Sequence, residues 1–306
     1  MSKDVGQQAA EAKTLRRVFP YLRLFRGKTF VVKAGGAALV DDAACRAFLE
    51  QVATIEQLGV RVVVVHGGGP QATDLAGELG IPVRMVDGRR VTDERMLAAA
   101  VMTLNGTINT RLTAAGRAVG ARTVGLSGVD AGLVRVRRRP PVVTADGSEV
   151  DYGQVGDIAG VDPSVLLHLL DGGFIPIVSP ISADDRGTLL NVNADSVAAA
   201  LAVALKAEKL VLVTEAAGVL ERVEDPRSLI SYIDLPGLAR MREAGQIAGG
   251  MLPKVAAIES ALASGVPRAH IVSSRVADSL LVEVFTNEGS GTLIVPDLTA
   301  LAPTEQ

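Results

Sequence analysis

Tryptophan is absent from the 306 residues, cysteine occurs once, and the three aromatic residue types together make up only 3% of the chain. A single cysteine, Cys45, excludes an internal disulfide framework and suits a reducing compartment, so the expected location is the cytoplasm. Lying within a helical pattern, Cys45 reads as a small buried hydrophobe rather than a nucleophile. The three histidines, His66, His168 and His270, are scattered without ligand spacing, so no metal site is expected. A formal net charge of only -3 gives no basic field for nucleic acid. No segment approaches the ~20 apolar residues of a membrane span. The opening MSKDVGQQAAEAK is polar with no apolar signal core, which predicts no secretion signal. GxxxxGK[ST] is missing, which excludes a P-loop enzyme, and no GxGxxG opens a helix after the first strand.

What is present is a chain that is 48% hydrophobic, enough for one large α/β domain or two smaller ones. Short β-branched runs alternate with Ala-rich amphipathic segments. Strands are predicted at Thr29–Val32, Arg61–Val65, Arg122–Leu126, Phe174–Val178, Leu210–Thr214 and His270–Val272. Asp41–Leu58 reads as a helix, with Phe48, Val52 and Ile55 on one face and Gly59 as the stop. Such alternation implies parallel pairing by right-handed crossovers, and strands apolar throughout imply a sheet covered on both faces.

Two stretches differ in texture. Leu133–Gly153 and Ser182–Asn193 are rich in Asp, Gly and Arg and read as antiparallel hairpins projecting from the sheet. A soft boundary near 180–195 divides the chain into an N-terminal lobe, 28–190, and a C-terminal lobe, 191–306, although the sheet can run through both. Residues 1–27 stand apart. Thr14–Arg26 is a basic amphipathic helix with Leu15, Val18, Phe19, Leu22 and Phe25 as its apolar stripe and an expected kink at Pro20. An apolar face outside the core points to a partner, here another copy of the chain; the alternative is that the helix folds back on its own domain.

Chemistry concentrates at strand ends. Four glycine-bearing turns follow predicted strands: Lys33-Ala-Gly-Gly, His66-Gly-Gly-Gly-Pro, Gly125-Leu-Ser-Gly and Thr214-Glu-Ala-Ala-Gly218. Ligands of open parallel sheets bind outside the carboxyl ends of the strands, where glycines let backbone N–H groups approach phosphate or carboxylate oxygens. Lys33 closes an apolar strand immediately before two glycines, so it points into that crevice. Lys254 follows Gly249-Gly-Met-Leu-Pro, where Pro253 fits the start of a helix. In Asn191-Val-Asn-Ala-Asp195, one of Asn193 and Asp195 serves as an N-cap. A carboxylate there could instead hold the two lysines in register on a phosphate.

These residues resemble the amino-acid-kinase superfamily, and within it the acetylglutamate-kinase branch. The resemblance rests on Lys33-Ala-Gly-Gly, Val65-His-Gly-Gly-Gly-Pro, Gly88-Arg-Arg-Val-Thr, Gly125-Leu-Ser-Gly, Asn191-Val-Asn-Ala-Asp, Gly249-Gly-Met-Leu-Pro-Lys and Glu288-Gly-Ser-Gly-Thr. They run in family order from about residue 14 to 295. The resemblance implies a three-layer αβα open sandwich, mainly parallel, with an N-terminal helical extension. It further implies transfer of the γ-phosphoryl of ATP to the γ-carboxylate of N-acetyl-L-glutamate in arginine biosynthesis, with Mg²⁺ carried chiefly by the ATP phosphates. By motif, Lys33 and Lys254 would stabilise the moving phosphoryl and Asp195 would orient both. Gly68 and Gly69 would donate N–H groups, Arg90 would clamp the α-carboxylate, and Asn191 would meet the acetamido end. Gly35, Gly36, Thr214, Glu215 and Gly218 would border the nucleotide. The long N-terminal helix implies a ring-shaped hexamer, a trimer of dimers, with Tyr21, His270 and Glu288 as candidates for an L-arginine effector site. Glu215 stands where the family usually has Asp, and Ser273-Ser-Arg275 where it has Asp-Gly-Arg. Two rivals stay open: a kinase for α-aminoadipate or glutamate linked to an acidic carrier protein, which Arg135–Arg139 could dock, and a non-catalytic arginine-sensing domain.

Overall fold

The computed structural model describes residues 16, 18–86, 89–144, 147–222, 224–225, 227–286 and 289–300. Its centre is an eight-stranded sheet. Chain order gives β1 (Thr29–Ala34), β2 (Arg61–His66), a short antiparallel pair β3 (Arg84–Val86) and β4 (Arg89–Val91), and β5 (Thr123–Ser127). There follow β6 (Val134–Arg138), the two-residue strands β7 (Val142–Val143) and β8 (Glu149–Val150), β9 (Gly156–Val161), β10 (Ile175–Ser179), β11 (Ile181–Ala183) and β12 (Leu189–Asn191). The last are β13 (Lys209–Thr214), β14 (Tyr232–Asp234), β15 (Ala269–Ser273) and β16 (Thr292–Val295). The main sheet runs β14-β16-β15-β13-β1-β2-β10-β5. Every neighbouring pair is parallel except β15 and β16.

All six predicted strands lie in this sheet, each within a residue or two of its expected bounds. They were readable because both faces of each central strand are buried, leaving uninterrupted β-branched runs. Alternation along β1 and β2 sorts side chains between two cores. Val31, Val63 and Val65 pack with the helices Ser164–Asp171, Ala194–Ala204, Leu235–Glu243 and Leu252–Ala263. Phe30, Val32, Val62 and Val64 pack with Asp42–Gln57, Asn109–Ala118 and Ser279–Phe285. That period of two places one helical layer on each face and gives the three-layer sandwich.

The helix expected over Asp41–Leu58 spans Asp42–Gln57, with Asp41 as N-cap accepting from Ala44 N–H at 2.8 Å. Cys45 is fully buried within it. The Ser182–Asn193 hairpin is present as β11 against β12. The hairpin over Leu133–Gly153 is corrected: β6 pairs antiparallel with β9, which lies beyond Gly153, and only the small β7–β8 ladder closes inside that span. The Arg-rich strand gave no sign of its partner because β9 mixes Gly, Asp and Ala with its apolar residues. Strands β14 and β16 were not anticipated, each being only three or four residues long.

Thr14, Leu15 and Arg17 of the N-terminal helix lie outside the described residues; residues 18–25 are helical, Pro20 included. Phe25 is buried against Phe30, and Val18, Tyr21 and Leu22 pack on the same core. This much of the stripe folds back on its own domain, while Phe19 stays 56% exposed and Leu24 49%. Among the described residues, no helix is long and apolar enough to cross a membrane.

Candidate active site

β1 lies mid-sheet, flanked by β2 and β13, and the carboxyl ends of all three open on one side. Here the chain order reverses direction across the sheet, the position at which open α/β sheets form a crevice. Lys33 is the penultimate residue of β1 and its side chain is only 9% exposed. It reaches Asp195 Oδ1 at 2.8 Å. Lys254 lies in the first turn of Leu252–Ala263, and its Nζ is 3.4 Å from Asp195 Oδ2 and 3.3 Å from the Gly250 carbonyl. Two lysines 221 residues apart in the chain thus sit on the two oxygens of one buried carboxylate.

The local sequence explains how Asp195 is available for this. Asn193 is the N-cap of Ala194–Ala204, its Oδ1 accepting from Ser196 N–H at 3.0 Å, so the capping duty falls on Asn193 and leaves Asp195 to face the lysines. Burial alone would raise the Asp195 pKa. The charges of Lys33 and Lys254, and their hydrogen bonds, outweigh burial and hold it below the usual carboxylate range. The helices Gly69–Glu78, Ala194–Ala204 and Leu252–Ala263 all begin at this end of the sheet, so their positive ends add to the field.

The glycines act by clearing space. A Cβ on Gly35 would stand 2.7 Å from Lys33 Nζ, and one on Gly36 (φ +56°) 2.7 Å from Glu215 Cγ. A Cβ on Gly68 would meet Ile108 Cδ1 at 2.2 Å and Leu104 Cδ2 at 2.7 Å. Gly68 is also the N-cap of Gly69–Glu78, on which Arg90 rests, donating to the Gly69 carbonyl at 2.8 Å and to Thr73 Oγ1. Burial draws the Arg90 pKa below its ordinary value. Asn191 ends β12 four residues before Asp195, and its N–H donates to the Gln154 carbonyl at 2.9 Å. Thr214 ends β13; Glu215 follows it and pairs with exposed Arg275 at 2.7 Å. Gly218 packs against Thr292 Oγ1, which a Cβ would approach to 2.5 Å.

His66 is fully buried at the end of β2. It faces the Gly67 carbonyl through Nδ1 at 2.9 Å and Asn109 Nδ2 through Nε2 at 3.1 Å. Asn109 also donates to the carbonyls of Ile177 and Leu126. Burial, reinforced by Lys33, pushes His66 down to about 4, so the ring is neutral at physiological pH: Nδ1–H donates and Nε2 accepts. This network anchors the glycine turn, and sequence alone hid it, since Asn109 lies amid an otherwise unremarkable helix.

The two described effector candidates lie near each other, since Lys209 stands over the Phe25 ring and meets His270. Tyr21 stacks on Phe25 at a ring separation of 6.3 Å. His270 lies at the opposite, amino end of the sheet, between Lys209 Nζ at 3.2 Å and Glu283 Oε1 at 2.7 Å. Glu288 lies outside the described residues. Glu283, which the sequence did not single out, accepts the N–H groups of Ser290 and Gly291 at 2.6 and 2.9 Å. A lone acid amid the apolar residues Leu280–Phe285 was its only signal.

Comparison with known proteins supplies the context. The model of the amino acid kinase family matches residues 28–273. Acetylglutamate kinase of Myxococcus xanthus is 50% identical over 286 residues, 92% of this chain and 93% of that protein. The structure of N-acetylglutamate synthase from Neisseria gonorrhoeae with coenzyme A and N-acetylglutamate superposes with a TM-score of 0.81 at 28% identity, covering 94% of this chain and 63% of that one. The same synthase with coenzyme A and L-arginine gives 0.78 at 28%, over 92% and 64%.

Proposed function

The chain belongs to the amino acid kinase family, and on that premise we propose that it transfers the γ-phosphoryl group of ATP to the γ-carboxylate of N-acetyl-L-glutamate, a step of arginine biosynthesis. The observation that carries the reading is Lys33 and Lys254 meeting on Asp195 above the strand ends. Phosphoryl transfer passes through a loose transition state that needs alignment and charge stabilisation more than covalent chemistry. The acceptor carboxylate is already ionised at neutral pH, so the reaction needs no general base, and neither buried histidine is assigned a proton-transfer role.

In this reading an incoming phosphoryl group takes the two lysines that now face Asp195, and Asp195 keeps their spacing fixed. Backbone N–H groups of the Gly35–Gly36 and Gly68–Gly69 turns offset charge on the transferring oxygens. Arg90 clamps the α-carboxylate and Asn191 the acetamido end. Thr214, Glu215 and Gly218 border the nucleotide. Among the described residues no group of three or more His, Cys, Asp or Glu side chains is placed to hold a metal. Asp195 is engaged by lysines, so Mg²⁺ is assigned to the ATP phosphates, whose charge it neutralises. Residues 28–190 carry the acceptor substrate and 191–306 the nucleotide, on one continuous sheet.

The carrier-linked rival loses its motive where Arg138 pairs with Asp151 and Arg139 with Asp157, since internal partners take up half of the guanidinium groups in that run. Tyr21 and His270, at the amino end of the sheet beside the N-terminal helix, together with Glu288, which lies outside the described residues, stay the candidate L-arginine effector site, and exposed Phe19 and Leu24 support helix-mediated assembly into a hexamer. One coupled assay of ADP release against acetylglutamate, carrier-linked aminoadipate and other acyl-amino acids, with and without arginine, tests the whole. Acetylglutamate is expected to give the highest kcat/KM; binding of arginine with ATP left intact under every condition would make the protein a sensor instead.

A further inference from the structure

Among the described residues, four buried side-chain atoms lack a hydrogen-bond partner: Arg90 Nε, Gln154 Oε1, Ser182 Oγ and Asp195 Oδ1. Asp195 Oδ1 is compensated by the Lys33 ion pair. The other three are dispersed in sequence, and backbone hydrogen bonds link the segments that carry two of them, Arg90 and Gln154. The Gln154 N–H donates to the Thr92 carbonyl at 2.6 Å, two residues after Arg90, and the Gln154 carbonyl accepts from Asn191 N–H at 2.9 Å. Ser182 pairs with Leu190, next to Asn191. Gln154 therefore bridges the Arg90 hairpin and the Asn191 strand through its backbone, while Ser182 Oγ lies against Gly128. A buried polar atom left unpaired is costly, and such atoms in native proteins call for a reason. An unmet donor on Arg90 and an unmet acceptor on Gln154, on segments joined by this bridge, suit a ligand that completes both.

The chemistry of each atom says what that ligand offers. Arg90 Nε is a donor and needs an acceptor, which a carboxylate supplies. Gln154 Oε1 is an acceptor and needs a donor. An ionised N-acylated dicarboxylic amino acid carries two carboxylates and an acyl carbonyl, all acceptors, and its only donor is the amide N–H. We infer that Gln154 is a specificity-determining residue, whose Oε1 receives the amide N–H of the acylated substrate while Arg90 takes the α-carboxylate. The inference rests on the functional reading above and extends it to the group that distinguishes an N-acyl substrate from its oxygen analogue. Gln154 went unmarked in the sequence because a single Gln between Gly153 and Val155 resembles any turn residue.

The test compares N-acetyl-L-glutamate with its ester isostere, 2-acetoxyglutarate, in which oxygen replaces the N–H. The wild-type enzyme prefers the amide in kcat/KM. Gln154→Leu is expected to lower kcat/KM for the amide by about tenfold and to leave the ester unchanged, so that the preference collapses. Gln154→Glu, which keeps an acceptor at that point, retains the preference even where KM rises for both compounds. A merely structural role would lower both substrates by the same factor, and an unchanged amide-to-ester ratio in Gln154→Leu overturns the inference. Loss of the preference in Gln154→Glu overturns it too, since volume and not the acceptor would then be responsible. If the wild-type enzyme fails to phosphorylate acetylglutamate at all, the functional reading falls first; normal turnover with an unchanged ratio removes only the role of Gln154.

Discussion

Lys33 and Lys209 are both buried lysines on adjacent strands of one sheet, yet they stand at its opposite ends. Phe30 of β1 is in register with Lys209, so the two lysines are three residues apart along the strands, about 10 Å. At the carboxyl end, Lys33 shares its acid with a second lysine from another segment, and glycine turns keep the surroundings clear. At the amino end, Lys209 contacts His270 and the faces of Phe25 and Phe30, with ring centroids 4.7 and 5.9 Å away, and His270 in turn meets Glu283. The first arrangement has surplus positive charge that an anion can claim. In the second, each polar group is bound to another and aromatic rings close it in. The same residue type thus leaves an amine open to an anion at one end and gives cohesion at the other, and the difference lies in what surrounds the amine.

Substitutions can break that contrast. Lys33→Ala or Lys254→Ala is expected to lower kcat by roughly 10²–10³-fold, the effect of removing one preorganised charge from a phosphoryl-transfer site, with little change in melting temperature. Near-normal turnover in both variants would end the assignment of this crevice. Glu283→Ala should do the reverse. It strands His270 and the N–H groups of Ser290 and Gly291, costing about 3 kcal/mol of stability, while kcat measured without arginine stays close to wild type. A Glu283→Ala enzyme that unfolds normally but turns over slowly would show that the two ends are not separate devices.

Acid sharpens the comparison because one histidine lies at each end. His270 is pushed to about 4, by burial first and Lys209 second, and His66 also to about 4. Both values lie below the ordinary 6.5, so the native state binds fewer protons than the unfolded chain between about 6.5 and 4. Stability is therefore complete above pH 6.5 and falls as the pH drops through that window, by about 1.4 kcal/mol per pH unit for each histidine. Denaturant titrations from pH 7 to pH 4.5 should show this slope. His270→Gln should reduce it by one histidine's share, and an unchanged slope would mean that His270 is charged in the folded protein.

The two ends also differ in how far the sequence revealed them. At the crevice, strand-end glycines, paired lysines and the Asn-Val-Asn-Ala-Asp stretch are local signals, because a parallel sheet delivers the ends of successive strands to one place. The sheet itself was legible for the same reason: strands buried on both faces write their burial into continuous runs. Lys209 and Glu283 carry no such mark, and His270 entered only through the family resemblance. Their partners lie 61 and 13 residues away, and each residue alone resembles an ordinary strand or helix position. Gln154 and Asn109 were hidden likewise, since what makes them unusual is the hydrogen bonds that they make or miss across the fold.

The smallest effect separates two neighbours on one helix turn. Asn193 and Asp195 both read as possible caps, and the structure gives the cap to Asn193. Asn193→Ala should cost about 1 kcal/mol, the ordinary value of an N-cap, and be seen as a fall of a few degrees in melting temperature with kcat largely kept. Asp195→Asn removes the charge that holds Lys33 and Lys254 at fixed spacing, so its larger consequence should appear in kcat, with KM for ATP moving less. If Asn193→Ala lowered kcat as strongly as Asp195→Asn, the helix start as a whole would be the working part. Two variants that differ in which property they damage would instead place the helix on Asn193 and the lysine pair on Asp195.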